Sequence, residues 1–291
     1  MRVRALSLPI LCLCLLAARP SAMDRGALRP PTARDTPFES RGPGEVIVPV
    51  TLGARGTFRF LLDTGSTHTA VTEALASAVA ARPVARTSMT AAGGTLECLV
   101  VALARVAIGA VAVDDLTATV LPPASGAVLG AGLDGVLGQD FLARFSYTID
   151  YRASRIRWHE PGYAAPGVRL TLVPSQDRWL VELPQADARV PAYRFVPDSG
   201  ADTLVLYGDG MAERVVREWR DDRAALGSLT GARGVRTGIV AGLRVGDATI
   251  ERHVAAVVPG ARREPDGLLP LHLFASVQIN ARERYLVIQP R

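Results

Sequence analysis

Two short segments of this 291-residue chain place an aspartate where an apolar run ends in a polar, glycine-containing turn: Asp63-Thr-Gly-Ser and Asp198-Ser-Gly-Ala. Two carboxylates held side by side cannot both ionise cheaply, so they share one proton and can act as base and acid in one reaction. Such a pair could activate water without forming a covalent intermediate. Because either triplet alone is common at strand ends, the hypothesis requires both in matched surroundings.

The surroundings of the two aspartates do match, which indicates an internal repeat. The hairpin pattern EVIVPVTLGARGTFRFLLD ends at Asp63, and RWLVELPQADARVPAYRFVPD later ends at Asp198. Downstream, DGVLGQDFL begins at Asp134 and DGLLPLHLF at Asp266, at nearly equal distances from their aspartates. The sequence therefore predicts two similar units, each contributing one aspartate.

Alternating apolar and polar residues with frequent turn signals dominate both repeats, which predicts an all-β, bilobal fold of two β-barrel lobes. We expect the lobes at 45–158 and 169–291, with a linker rich in proline and glycine at 159–168. The predicted helices are few and short, at about 72–81 and 210–226, with a possible turn after Gly138.

The N-terminus has the features of an export signal. Residues 1–22 join two arginines to an apolar stretch that ends in small residues. This stretch is too short for a comfortable transmembrane helix, so we expect no stable membrane insertion once it is cleaved. Residues 23–44 are rich in proline, glycine and charge and are predicted to form a flexible leader. The mature protein should therefore be exported, to a periplasm or outside the cell.

Composition argues against several other functions. The formal net charge of +5 does not indicate nucleic-acid binding, because the basic excess is mostly terminal. The GxGxxG spacing at 130–135 lacks the βαβ setting of a dinucleotide site, and the four histidines are scattered. We therefore expect no cofactor and no metal. The single cysteine after the signal, Cys98, lies in an apolar run and is expected to be a buried thiol.

The segments FLLDTGST and DGVLGQDFL resemble the signature of pepsin-like and retropepsin-like aspartic peptidases, which is an apolar pair, Asp-Thr/Ser-Gly, and a later apolar-apolar-Gly element. The resemblance extends from about Glu45 to the C-terminus. It implies a bilobal aspartic endopeptidase whose catalytic residues are Asp63 and Asp198. It also implies a peptide or protein substrate bound between the lobes and one active site per chain, so we expect a monomer.

The residues that follow each aspartate would support this dyad. Gly65 and Gly200 allow backbone to approach the carboxylates and to donate hydrogen bonds to them. By the family's pattern, Thr64 and Ser199 hydrogen-bond across the interface between the lobes and fix the geometry of the dyad.

The next positions differ between the repeats. Ser66 is similar to the pepsin pattern, in which a hydroxyl donates to the ionised carboxylate and favours low pH. Ala201-Asp202 is similar to the retropepsin pattern, in which the alanine removes that donor and the aspartate binds substrate backbone. This mixture predicts a mildly acidic pH optimum.

Each repeat also contains a glycine-bearing hairpin candidate between its aspartate and its later landmark. The first is TAAGGTLE, with Gly93 and Gly94, and the second is LTGARGVR, with Gly231 and Gly234. By the resemblance these hairpins would be flaps over the substrate, and neither carries the tyrosine of a pepsin flap.

The second repeat departs from the family pattern at two prolines. Pro197 replaces an apolar residue before Asp198, and Pro270 stands where Gly138 stands in the first repeat. Either change could tilt Asp198. The alternative function is therefore a noncatalytic peptide-binding protein of the same fold, or one whose second lobe serves only as a scaffold.

Overall fold

β-Strands dominate the computed structural model of the chain, as the all-β prediction requires. The structure describes residues 35–291 apart from 92–93, 131, 177, 185–188, 190, 230 and 262–263. The helical segments are α1 (Glu73–Ala78), α2 (Pro123–Leu129), α3 (Gln139–Leu142), α4 (Asp209–Val215) and a 3-10 helix at Leu271–Leu273. Over the described ranges, none of these helices has the length and apolar character needed to span a membrane.

The first half of the chain contains a closed barrel. The strands of this half are β1 (Asp35–Pro37), β2 (Ile47–Leu52), β3 (Thr57–Leu62), β4 (Ala70–Thr72), β5 (Arg82–Ala91), β6 (Gly94–Ile108), β7 (Val111–Leu121), β8 (Gly135–Leu137), β9 (Ser146–Asp150) and β10 (Arg155–His159). Six of them pair in the order β2-β3-β8-β4-β7-β6, and β2 also pairs with β6 to close the ring. Alternate residues therefore face inward, and Val48, Val50, Phe60 and Leu62 join the main hydrophobic core.

The second half repeats the arrangement that delivers the aspartate. Its strands are β11 (Val168–Ser175), β12 (Arg178–Leu183), β13 (Tyr193–Asp198), β14 (Leu204–Tyr207), β15 (Val216–Ser228), β16 (Gly231–Val240), β17 (Leu243–Val245), β18 (Ala248–Ile250), β19 (His253–Val258), β20 (Gly267–Pro270), β21 (Ser276–Asn280) and β22 (Tyr285–Gln289). In the first half β3 runs parallel to β8 with Phe60 opposite Gly135. In the second half β13 runs parallel to β20 with Phe195 opposite Gly267.

An antiparallel arrangement of six strands joins the halves, in the order β1-β10-β9-β21-β22-β11. Strand β1 pairs with β10, Glu39 bridges Ile47, and Phe38 is buried. Residues 35–39 are therefore paired with strands of the fold, although they belong to the segment 23–44 whose composition predicts a flexible leader. Backbone pairing and the burial of one phenylalanine order a segment that has few other apolar residues.

Two of the predicted helical features are present, and one prediction is partly wrong. Helix α1 begins after Thr72, whose hydroxyl accepts a hydrogen bond from the Leu75 amide at 3.1 Å, and α3 follows Gly138 as expected. The helix predicted at 210–226 ends at Val215, and the chain continues as strand β15, paired with β16. Long-range pairing outweighs the helical propensity of that segment.

Candidate active site

The two aspartates are buried and lie at the ends of corresponding strands. Asp63 is 0% exposed and follows β3, whereas Asp198 is 1% exposed and ends β13. A Cβ atom built on Gly65 would lie 2.6 Å from Oδ2 of Asp198, and one built on Gly200 would lie 2.9 Å from Cγ of Asp63. Each carboxyl group therefore packs against the glycine of the opposite loop.

Backbone amides orient the two carboxyl groups in the same way. Oδ1 of Asp63 accepts hydrogen bonds from the amides of Gly65 at 2.8 Å and Ser66 at 3.0 Å. Oδ1 of Asp198 accepts from the amides of Gly200 at 2.8 Å and Ala201 at 3.1 Å. The two loops thus present their carboxyl groups with matching geometry from opposite halves of the chain.

Four hydrogen bonds join the loops directly. The Thr64 hydroxyl donates to the Pro197 carbonyl at 2.7 Å and accepts from the Ser199 amide at 2.9 Å. The Ser199 hydroxyl donates to the Leu62 carbonyl at 2.7 Å and accepts from the Thr64 amide at 3.0 Å. Because each hydroxyl is both donor and acceptor across the interface, the relative position of the two aspartates is fixed by short, buried contacts.

A comparison with known protein families matches part of the chain. Residues 48–141 match the family model described as aspartyl protease. This segment is therefore similar to an aspartyl protease domain. The match includes Asp63 and Gly138 but ends before Asp198, whose assignment depends on the strand correspondence described above. No curated protein sequence is similar enough to be matched.

The hydroxyl groups of Thr64 and Ser199, which bond across the interface, are expected to stabilise the fold. We expect Thr64→Val to lower the free energy of unfolding by about 2–4 kcal/mol, because it leaves the Ser199 amide and the Pro197 carbonyl buried without this partner. Ser199→Ala should act similarly, and the double variant should lose less than the sum. Denaturant unfolding of all three variants measures this coupling.

The matched control is Thr51→Val, since the Thr51 hydroxyl makes only an exposed contact with Thr57. Its effect should stay within about 0.5 kcal/mol. An equal loss at Thr51 and Thr64 would contradict the proposed role of the cross-interface bonds.

The Ser66 hydroxyl does not have the orientation that the pepsin resemblance implies. It donates to the His68 carbonyl at 2.8 Å, so its single proton is directed away from the Asp63 carboxyl group. Asp63 and Asp198 therefore receive equivalent pairs of backbone donors. The sequence predicts that the Ser66 hydroxyl gives Asp63 a hydrogen-bond donor that Asp198 does not receive from Ala201. These contacts do not show that difference.

Two polar residues that the sequence reasoning missed support the first loop. The Gln139 side chain donates to the Thr64 carbonyl at 2.7 Å. The Asp140 carboxylate accepts from the Thr69 amide at 2.9 Å and the Thr69 hydroxyl at 2.7 Å, while burial raises the pKa of Asp140. In the sequence, the role of Gln139 and Asp140 is indicated only by their position as two polar residues that interrupt the apolar run DGVLGQDFL.

The second repeat tolerates both unexpected prolines. Pro197 lies in β13, where its carbonyl accepts the Thr64 hydroxyl. Pro270 lies opposite Asp198 in the strand register and has φ −63°, the value that the proline ring prefers. Because Asp198 keeps the same backbone donors as Asp63, neither proline disturbs the orientation of its carboxyl group.

The hairpin glycines fall into two groups. Gly94 and Gly231 have φ of +135° and +131° and are the first residues of β6 and β16, where positive φ favours glycine. Gly234 lies within β16 opposite Ala225, so it is not a turn residue. Gly93 lies outside the described residues. The chain thus has one long hairpin in each repeat, β5–β6 and β15–β16.

Other predicted features are placed as follows. Cys98 is 3% exposed, as expected for a buried thiol, and burial raises its pKa. Within the described part of the chain, no group of three or more His, Cys, Asp or Glu residues could hold a metal ion.

Asp202 occupies a position that disfavours its charge. One of its carboxyl oxygens, Oδ1, is buried without a hydrogen-bond partner. Burial raises the pKa of Asp202 from 3.8 to about 6, and Glu45 also raises it, while a backbone hydrogen bond lowers it. Since the pKa is higher in the folded state, the stability that this group contributes is present below pH 3.8 and is lost as the pH rises through about 6.

We therefore expect Asp202→Asn to increase the free energy of unfolding at pH 8 by up to about 3 kcal/mol, with little change at pH 4. Residual solvent exposure makes this value an upper bound. Denaturant unfolding at several pH values measures the difference. An equal effect at both pH values would show that the charge of Asp202 is not responsible.

Proposed function

We propose that the chain is an aspartic endopeptidase in which Asp63 and Asp198 together activate a water molecule. The observation that carries this proposal is the pair of buried carboxyl groups, each packed against the opposite loop and held by the same two amide positions. Supporting it, the family match covers the first of these loops.

The reaction follows from the sharing of one proton. The ionised carboxylate takes a proton from water as the water oxygen attacks the carbonyl carbon of the peptide. The protonated partner donates to the carbonyl oxygen, which gives a neutral tetrahedral species. The first carboxyl group then gives its proton to the leaving nitrogen, while the second carboxylate takes a proton from a hydroxyl of the tetrahedral species. The C–N bond breaks, the amine and the carboxylic acid are released, and the pair again holds one proton. Thr64 and Ser199 contribute by preventing the two loops from separating during these transfers.

The proposed substrate is an extended peptide that lies between the two repeats. The hairpins β5–β6 and β15–β16 would border it. By the retropepsin resemblance, Asp202, which directly follows Ala201 in the loop that carries Asp198, would bind substrate backbone. We further propose that one chain forms the complete site, because both carboxyl groups come from the same chain. Export by the predicted signal at 1–22, which lies outside the described residues, is part of this proposal.

Digestion of a peptide library and of casein between pH 3 and pH 8 tests the proposal. We expect new peptide N-termini, greatest turnover at mildly acidic pH and inhibition by pepstatin but not by a metal chelator. Saturable peptide binding without new N-termini would instead identify the noncatalytic binding protein.

A further inference from the structure

A cavity of about 410 Å³ is separate from the two loops that carry the aspartates. Residues 38–44 and the turn after β9 form one side of it, and the start of β19, the 3-10 helix and the C-terminal residue form the other. Its volume is within the range of small-molecule sites. Because none of its lining residues belongs to the aspartate loops, a ligand in this cavity would not occupy the proposed active site.

Apolar side chains form part of the cavity wall. Phe38, Tyr151 and Leu273 line it, and the rings of Phe38 and Tyr151 meet edge to face with their centroids 6.1 Å apart. Gly44 allows the N-terminal segment to pack closely here, because a Cβ atom at this position would lie 2.5 Å from Nδ1 of His272. The apolar part of a small ligand would therefore be removed from water in this cavity.

Hydrogen-bond donors form the rest of the wall. The hydroxyl of Tyr151 and Nε2 of His253 are buried and have no hydrogen-bond partner among the described residues. Buried polar groups are normally paired, so these two favour a ligand that carries acceptor atoms. Nε and one Nη of Arg291 donate to the His272 carbonyl at 3.0 and 2.6 Å, which fixes the guanidinium in the wall and leaves its other N–H groups for a ligand.

The charges of the wall favour an anion. Arg291 is a cation, and no aspartate or glutamate lines the cavity in the part of the chain that the structure describes. Glu45 follows the lining residue Gly44, but its carboxylate lies 3.6 Å from the Arg41 guanidinium. Burial lowers the pKa of His253 and of His272, to about 4 for His272. Near pH 7 both imidazoles are therefore neutral and can each donate one N–H.

We propose that this cavity binds a small organic carboxylate with an apolar body. The planar guanidinium of Arg291 matches the two oxygens of a carboxylate, and Tyr151 and His253 would donate to the same group. The apolar body would lie against Phe38 and Leu273. The site does not depend on the proposed peptidase activity, because neither aspartate contributes to it.

Isothermal titration calorimetry with hydrocinnamate, a phenyl ring on a short carboxylate chain, tests this site. We expect a Kd of about 1 mM or lower. Hydrocinnamamide, which has the same shape without the charge, should bind at least about tenfold more weakly. Acetate, which lacks the apolar body, should also bind at least about tenfold more weakly. Failure of hydrocinnamate to bind at several times the expected Kd, or equal affinity for it and either comparison compound, would overturn the proposal.

Variants locate the bound hydrocinnamate. Arg291→Gln should weaken its binding about tenfold or more with little change in thermal unfolding, because this side chain is exposed. His253→Gln should weaken it several-fold. The matched control is Arg282→Gln, an identical change at an exposed arginine that does not line the cavity, and it should keep the affinity of the wild type.

Asp63→Asn should likewise bind hydrocinnamate as tightly as the wild type, since Asp63 lies outside the cavity. Loss of binding in this variant, or unchanged affinity in Arg291→Gln, would place the ligand elsewhere and overturn the proposal. Binding that depends on Arg291 in a protein that cleaves no peptide would uphold this site while the proposed function fails.

Discussion

Asp63→Asn and Asp198→Asn are each expected to reduce kcat for peptide hydrolysis by about 10³–10⁴-fold. Asparagine has nearly the same shape as aspartate, so the loops should keep their fold, but the amide can neither accept the proton of the attacking water nor share one with its partner. Cleavage of a fluorogenic peptide at the pH of maximal turnover measures the loss. Unchanged thermal unfolding would exclude misfolding as its cause.

The matched control is Asp115→Asn, an identical change at an exposed aspartate on β7. Asp115 has φ 54°, a backbone conformation that asparagine also tolerates, so the variant should keep full activity. Wild-type turnover in both dyad variants would disprove the dyad. Loss in Asp63→Asn alone would instead indicate a site assembled from the first repeats of two chains.

The alignment of the first repeat with the second could be predicted from sequence, because local packing restricts the residue types at corresponding positions. Gly135 and Gly267 are an example. A Cβ atom on Gly135 would lie 2.5 Å from the Ala70 carbonyl oxygen, and one on Gly267 would lie 2.0 Å from the Val205 carbonyl oxygen. Only glycine fits beside these carbonyls, so the same Asp-Gly pair marks both repeats even where the flanking residues differ.

Features that depend on distant partners could not be predicted in this way. Strand β15 contains a helix-like spacing of apolar residues, yet pairing with β16 determines its conformation. The exposed Trp219 on that strand stacks under the Arg236 guanidinium at 3.7 Å, a contact between two strands that no local pattern reveals. The sequence likewise provides no indication that Leu229, which is 2% exposed, packs in a hydrophobic cluster whose other buried members all lie in the first half of the chain, because any exposed turn could contain a leucine.

The contacts at the dyad lie between these two cases. Thr64 and Ser199 could be assigned to the interface only through the family resemblance, because the two residues are 135 positions apart. The Ser66 hydroxyl shows the limit of such a transfer, since its type matches the pepsin pattern while its hydrogen bond goes to the His68 carbonyl. The residue type fixes which hydrogen bonds are possible, and the surrounding backbone selects among them.

Substitution of the two loop glycines is expected to separate the aspartates without removing any catalytic group. The backbone of Gly65 and of Gly200 lies outside the left-handed region, so alanine is compatible with the local conformation at both positions. Its methyl group would meet the opposite carboxyl group, at 2.6 Å from Asp198 Oδ2 for Gly65→Ala and at 2.9 Å from Asp63 Cγ for Gly200→Ala.

Because real Cβ atoms do not approach other atoms this closely, Gly65→Ala must displace Asp198 or its own loop. A displacement of about 1 Å in a catalytic group can reduce the rate about 10²-fold, so we expect at least this loss in kcat. Gly200→Ala should cost less, because its contacts of 2.9–3.1 Å can relax with smaller movements. Measurements of kcat and KM, together with unfolding curves, separate loss of alignment from loss of folding.

Gly210→Ala is the matched control, since a Cβ atom there meets nothing within 4 Å and the residue lies in α4. Alanine should slightly stabilise that helix and leave turnover unchanged. If Gly65→Ala kept kcat within about threefold of the wild type while folding normally, the close approach of the two loops would not be required for the reaction. The expected result is a large loss of kcat in Gly65→Ala and a smaller loss in Gly200→Ala. This order follows the distances from each added Cβ atom to the opposite carboxyl group, so it would show that the rate depends on the spacing of the two carboxyl groups.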